Sequence, residues 1–308
     1  MGTASSVLSP SNPTFADFYD HKFNITDDGT TISGLALRRM LVGYVGERGD
    51  NNKKHGRGIE NYANGDRYEG DWAQGKKEGS GLCLYRNGDR YEGQYQDGSK
   101  CGDGIYTFAS GDVYTGQFSA NKMHGKGIYK YANGNVYEGD FSAGNMEGHG
   151  RLNYVSGDVY EGGWLLGKRH GHGVYTHYRC GDVYEGEYRN GEKNGLGKYN
   201  YANGDQYEGA FVNNKMHGSG VFKYSNGNIF EGEFIDNKRT AGHLYVAENG
   251  VKYKAVFRNS EKLSNRSLRE KHGGVVYDVE LHTDGDEIDR MGSETRNVKM
   301  CKGDIISS

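Results

Sequence analysis

Four histidines, His55, His124, His170 and His217, occupy equivalent places along the chain and raise the question of a metal centre. The same column carries Glu78, Cys101, Glu147 and Asn194 in the intervening units. Zinc ligands must converge to about 2 Å from one ion. If successive units pair as strands ~4.8 Å apart, most of these histidines stand on the order of 20 Å from one another. His170 and His172 are closer, but two ligands do not make a structural site, so no metal and no cofactor is expected. A second candidate chemistry is phosphate binding by His55-Gly56-Arg57-Gly58, His124-Gly125-Lys126-Gly127 and His217-Gly218-Ser219-Gly220. These glycines recur periodically and open a strand rather than a helix, which argues against a nucleotide site. A third is a basic row, Lys76, Lys122, Lys168, Lys215 and Lys238, that an anionic lipid surface would attract by roughly 1 kcal/mol per lysine. It runs beside an acidic row, Glu69, Glu92, Glu138, Glu161, Glu185, Glu208 and Glu231, and the net charge is -3. The two rows offset one another. No nucleophile, base and acid stand apart from the repetition, so the chain is not expected to be an enzyme.

All of these residues share one period. Tyr68-Glu69-Gly70, Tyr91-Glu92-Gly93, Tyr114-Thr115-Gly116, Tyr137-Glu138-Gly139 and Tyr160-Glu161-Gly162 follow every 23 residues. Tyr184-Glu185-Gly186, Tyr207-Glu208-Gly209 and Phe230-Glu231-Gly232 continue the series after a slip of one residue near His177–Cys180, which reads as a bulge or a longer turn. Tyr44-Val45-Gly46 precedes it. Tyr253-Lys254-Ala255 ends it as a degraded copy whose Gly-x-Gly has become Ala241-Gly242-His243-Leu244. A fixed period of this length implies a solenoid-like array. Such arrays present long surfaces to partners.

Composition narrows the class further. The chain has 51 Gly but only 2 Pro, both upstream of the array, which excludes collagen and argues against a disordered linker. Twenty-five Tyr, placed periodically, argue for order. No basic excess suggests nucleic acid. The four Cys, at 83, 101, 180 and 301, are few and irregular, which implies a reducing compartment. No apolar run approaches the ~20 residues that span a bilayer, and residues 1–30 have no signal-peptide pattern.

Residues 68–90 illustrate the unit that must carry these columns. Tyr68 to Ala73 reads as a strand, Gln74 to Gly79 as a turn, and Gly81 to Tyr85 as the returning strand. Arg86 to Asp89 is a second turn, its Asn87-Gly88 step being a hairpin signal because it tolerates positive φ. Each unit is therefore a β-hairpin joined edge to edge with the next. The expected fold is all-β, an elongated single-layer solenoid of about nine to ten hairpins, on the order of 90 Å long at the usual strand spacing. Alternation places Tyr68, Gly70 and Trp72 on one face, with Gly81, Cys83 and Tyr85 sharing a face on the next strand. Glycine leaves space for the rings beside it, so each ring is expected to cover the bare backbone of its neighbour, and cross-strand aromatic pairs add roughly 0.2–1 kcal/mol each.

The Tyr-x-Gly-x-(Trp/Phe) unit, followed by Gly-x-Gly and Asn-Gly-Asp, resembles the MORN repeat, the membrane occupation and recognition nexus family. The resemblance covers residues 44–258. It implies a non-catalytic, protein-binding scaffold. Family members sit in radial spoke heads of cilia, at membrane contacts, and beside kinase or methyltransferase domains. The leading expectation is a structural component of a cilium or flagellum axoneme, similar to radial spoke head proteins, in the cytoplasm or cytoskeleton. The alternatives are an adaptor on the cytoplasmic face of a membrane, contacting phospholipid, and a regulatory subunit of a separate enzyme. Expected partners are other proteins, as extended or helical segments, and no nucleic acid. The expected contact surface is the Tyr/Gly face wherever its rings do not cover one another: Tyr68, Tyr91, Tyr114, Tyr137, Tyr160, Tyr184, Tyr207, Trp72, Trp164 and Phe118. The preferred reading of the Tyr68-type and Trp72-type rings is packing within the sheet, with contact to a partner as the alternative. Open edges at both ends of the array would permit a homodimer.

The flanks are individual. In residues 1–43, Met1-Gly2-Thr3-Ala4-Ser5-Ser6 fits the N-myristoylation pattern with Gly2 as acceptor. One acyl chain binds membrane only marginally without a second signal. Asn12 and Pro13 begin a capping or docking helix near 13–20 that places Phe15, Phe18 and Tyr19 on one face. In residues 259–308 one strand is expected at 275–281.

Overall fold

The computed structural model describes residues 42–246, 251–256, 268–272 and 275–279. Nineteen strands form a single antiparallel sheet in which each pairs with its neighbours in the chain. It opens with β1 (Gly43–Arg48), β2 (Lys54–Asn61), β3 (Arg67–Ala73) and β4 (Lys76–Leu84), repeats this pairing onward, and closes with Val251–Val256. A separate hairpin pairs Leu268–His272 with Val275–Val279, so the strand expected at 275–281 forms over its first five residues. The helix expected near 13–20, with Phe15, Phe18 and Tyr19, and the acceptor Gly2 lie outside the described residues.

Two kinds of turn alternate, and their roles are exchanged relative to expectation. The turn after β3 is only Gln74-Gly75, with φ of 51° and 87°. Both central residues are left-handed, as a tight two-residue hairpin requires. Lys76, Lys77, Glu78 and Gly79, read from sequence as turn, therefore already belong to β4. The Asn-Gly turn is wider. The Tyr85 amide donates to the Asp89 carbonyl and the Gly88 amide to the Tyr85 carbonyl, both at 2.9 Å. Gly88 is at φ 94° while Asn87 keeps a negative φ. The irregular copy is a longer turn and not a bulge: the Gly181 amide reaches back four residues to the His177 carbonyl at 2.8 Å.

The two glycines of each Gly-x-Gly do different work. Gly70 pairs with Gly81, but Asp71 pairs with Glu78, so two extra residues bulge out of β4. Gly79, the first glycine, sits in that bulge at φ 58°, where a side chain is strained. Gly81, the second, lies under the ring of Tyr68. The last copy clarifies the pattern. Gly242 still pairs with Gly232 and still meets Phe230, so the ring-bearing glycine is kept and only the bulge glycine is lost.

Candidate functional site

The aromatic columns form a continuous stack along one face. Tyr68 meets Trp72 of its own strand and Tyr95 of the next unit, both edge to face at 5.1 Å. Tyr91 meets Phe118 at 4.9 Å, Tyr114 meets Phe141 at 4.9 Å, and the pattern continues to Tyr207 and Phe234. Each Tyr hydroxyl donates to the backbone carbonyl three residues on: Tyr68 to Asp71 at 3.0 Å, Tyr114 to Gln117 at 2.8 Å, Tyr160 to Gly163 at 2.9 Å. The indoles of Trp72 and Trp164 donate to the carbonyls of Gly58 and Gly150. Ring and polar tip are thus both used inside the sheet. Burial pushes the phenol pKa values upward, to about 12 for Tyr114 and Tyr207.

This corrects the expected contact surface. Tyr68, Tyr91, Tyr114, Tyr137, Tyr160, Tyr184 and Tyr207 are 0% exposed, and Trp72, Trp164 and Phe118 are buried beside them. Their rings cover glycine backbone and one another, so they offer no face to a partner.

A second aromatic row remains open. Tyr85, Tyr106, Phe108, Tyr129 and Tyr131 are half-buried and follow one another at centroid distances of 6.0, 4.5, 5.8 and 4.6 Å. At the corresponding places further along, Tyr175, Tyr199, Tyr201 and Phe222 are buried. Tyr154 and Tyr224 are again partly exposed, so the longest unbroken accessible run of the strip is the one from Tyr85 to Tyr131. Between two turns there, a shallow depression of about 500 Å³ is lined by residues including Asp66, Tyr85, Arg86, Asp89 and Tyr106.

The turn carboxylates fix this strip in place. Asp89 Oδ1 accepts from the Ala109 amide of the next turn at 2.8 Å, and Asp89 Oδ2 accepts from the Tyr106 hydroxyl at 2.7 Å. Asp112 treats Ala132 and Tyr129 in the same way, and Asp182 treats Ala202 and Tyr199. Where Asn135 replaces Asp, its Oδ1 still accepts from the Val155 amide at 2.9 Å. Burial alone would raise the Asp89 pKa, but the hydrogen bonds from Ala109, Tyr106 and Asn87 outweigh it and hold the carboxyl below its ordinary value.

A column of long side chains, missed from sequence because its residues were assigned to a turn, completes the site. It comprises Lys54, Lys77, Lys100, Met123, Met146, Arg169, Lys193, Met216 and Arg239. The Lys77 ammonium stands 4.6 Å from the Tyr68 centroid and 5.3 Å from that of Tyr62. Lys100 stands 4.5 Å from Tyr106 and 5.2 Å from Tyr91. Cations over aromatic faces gain roughly 0.5–2 kcal/mol, more as water is excluded. The signal that would have found this column is its composition: every member is long and unbranched, and none is acidic. The outer lysine row is different: Lys76 pairs with Asp97 at 2.9 Å and Lys215 with Asp236 at 3.5 Å, both exposed. Among the described residues no three His, Cys, Asp or Glu side chains converge on a point that would hold a metal ion.

The MORN repeat model matches residues 50–67, 68–90, 91–113, 114–136, 137–159, 160–178, 184–206 and 207–229, more than half of the chain. No curated protein matches the sequence. Among solved structures, the TCP10 domain of Danio rerio CPAP in complex with a STIL peptide aligns at 11% identity and TM-score 0.36, covering 70% of this chain and 99% of that one. The SAS-4 TCP domain of Drosophila melanogaster, in complex with a proline-rich motif of Ana2, aligns at 14% identity and TM-score 0.26, covering 70% and 97%. Superpositions this loose carry nothing about what the present chain binds.

Proposed function

Because the chain belongs to the MORN repeat family, we propose that it is a non-catalytic scaffold that holds segments of other proteins against its repeat array. The observation that carries this reading is the open strip Tyr85, Tyr106, Phe108, Tyr129 and Tyr131. Five partly exposed rings in a row, of which Tyr106 and Tyr129 are braced by the turn carboxylates Asp89 and Asp112, form an apolar and rigid track. Side chains held this firmly lose little entropy when a partner docks. The setting we assign is a cilium or flagellum axoneme, or a related cytoskeletal assembly, on the resemblance to radial spoke head proteins. The lipid-facing alternative finds less support, because lysines of the outer row are paired with Asp97 and Asp236 and the net charge is -3.

The test is the location of a C-terminally tagged full-length protein after detergent extraction, compared with a Phe108→Ser variant. Retention on axonemes or basal bodies, lost in the variant, supports a protein scaffold acting through this strip. Release by detergent alone would reverse the ranking in favour of a membrane adaptor.

A further inference from the structure

The column of cations contains its own internal comparison. Lys54, in the first unit, forms an ion pair with Glu60, six residues on. The residue six beyond Lys77 is Cys83, whose thiol lies 3.9 Å from the ammonium. The residue six beyond Lys100 is Tyr106, whose ring lies under the ammonium. Neither Lys77 nor Lys100 makes an ion pair among the described residues, yet both are half-buried among tyrosines. Burial lowers the Lys100 pKa, and the Asp89 carboxylate, which makes no ion pair with it, offsets this only in part. The fold does not require a cation here, since Met123, Met146 and Met216 fill the same place in other units.

We infer that Lys77 and Lys100 are the docking points for an acidic, extended segment of a partner protein, lying across the strands over Tyr85 and Tyr106. This rests on the scaffold reading above and specifies its ligand. A carboxylate from the partner supplies, from the solvent side, the counter-charge that Glu60 supplies to Lys54. Successive units lie two strand spacings apart, about 9.6 Å. A chain in the polyproline II conformation covers nearly that distance in three residues, at about 3.1 Å each, and its three-residue turn returns side chains three apart to the same face. The segment therefore carries its acidic residues three apart, with apolar or aromatic residues between them for the rings of the strip. Partly desolvated cations discriminate strongly by sign, because a like charge placed there is repelled in a medium of low dielectric.

The experiment is fluorescence anisotropy with the full-length protein and three short labelled peptides. One has glutamates three residues apart among tyrosine and proline. The second has the same composition with the glutamates adjacent. The third has lysine in place of glutamate. The first is expected to bind, and added salt to weaken it. Lys77→Met and Lys100→Met, both side chains the column already accommodates, should each reduce affinity about tenfold. Equal binding of the first two peptides overturns the three-residue spacing. Equal binding of the lysine peptide, abolished by Tyr85→Ser, overturns the acidic ligand while leaving the docking strip intact. Unchanged affinity in both methionine variants, or no binding of any peptide, also overturns the inference. The detergent-resistant location tests the scaffold reading separately.

Discussion

The phenol of Tyr68 roofs the α-carbon of Gly81: a methyl group built on that glycine would stand 2.3 Å from the hydroxyl oxygen and 2.5 Å from the ring. The ring cannot retreat, because it is 0% exposed and its hydroxyl is bonded to the Asp71 carbonyl. Gly127 under Tyr114 and Gly197 under Tyr184 repeat the relationship.

Gly81→Ala is therefore expected to destabilise the array by about 1–3 kcal/mol or more, the range for overpacking a filled core. Gly171→Asn, at a bulge glycine with φ +69° and no atom within 4 Å of an added β-carbon, meets backbone strain alone. That substitution should cost about 1 kcal/mol or less, since Asn enters the left-handed region more readily than other residues. Urea unfolding of the two variants checks the ordering, and an equal loss in both would contradict the roofing account.

Phe118 touches both Tyr91 of the preceding unit, at 4.9 Å, and Tyr114 of its own, at 5.2 Å. Phe118→Ala should destabilise by about 3–5 kcal/mol. Hydrogen exchange should quicken in the units on either side and not only in the mutated one, because each unit leans on its neighbours. Unchanged thermal stability would refute the packing role.

The acid limb of stability follows from Asp89. Its folded pKa lies below the ordinary value of 3.8, so its contribution is full above that value and is lost as pH falls through the folded pKa. Asp89→Asn should fold normally at neutral pH, since Asn135 already bonds the next turn in this way. The variant should lose less stability than the parent on acidification below about pH 4. Thermal melts from pH 7 to pH 2.5 would read this as a steeper acid loss in the parent than in the variant, which keeps the contribution of Asp140.

Leu166 holds φ +49° and is 65% exposed, at a turn position where other units place Asn190 and Asn213. Neither backbone nor solvent favours leucine there. Leu166→Asn should stabilise the protein by about 0.5–1 kcal/mol, the usual gain from relieving such a site. A shift of the melting midpoint to lower temperature would show that Leu166 makes a contact worth more than its strain.

Much of the architecture was legible in the sequence because glycine and tyrosine alternate with a fixed period. The period of Tyr-x-Gly gave the hairpins, and the pairing of large rings with bare backbone followed from side-chain alternation along a strand. The turns were misread for a local reason. Asn87-Gly88 is the stronger hairpin signal by composition, but the tight left-handed turn falls to Gln74-Gly75, which propensity does not favour. That error moved Lys77 and Lys100 out of the strand and hid the cation column. The two glycines of each Gly-x-Gly look alike in sequence; register alone separates the one that bends from the one that is roofed. Alternation with glycine favoured packing for the Tyr68-type rings, and their burial bears this out; which rings of the second row stay open was beyond the sequence, because it depends on how closely successive units approach.

The turn carboxylates also give the array a direction. Asp66 receives the Arg86 amide, Asp89 that of Ala109, and Asp205 that of Ser225, always from the earlier unit to the later one. Along this row of turns, cutting the array from its C-terminal end removes donors and leaves spare acceptors, which water satisfies readily. Cutting it from the N-terminal end strands an amide whose acceptor has gone. A chain leaving the ribosome meets these requirements in order, each new turn arriving where its acceptor is already set. This row of turns is in that sense a zipper with one slider, closed in the order in which it is made, while on the opposite row the amides of Lys100, Lys193 and Met216 wait for Asn121, Asn214 and Asn237 of the unit that follows.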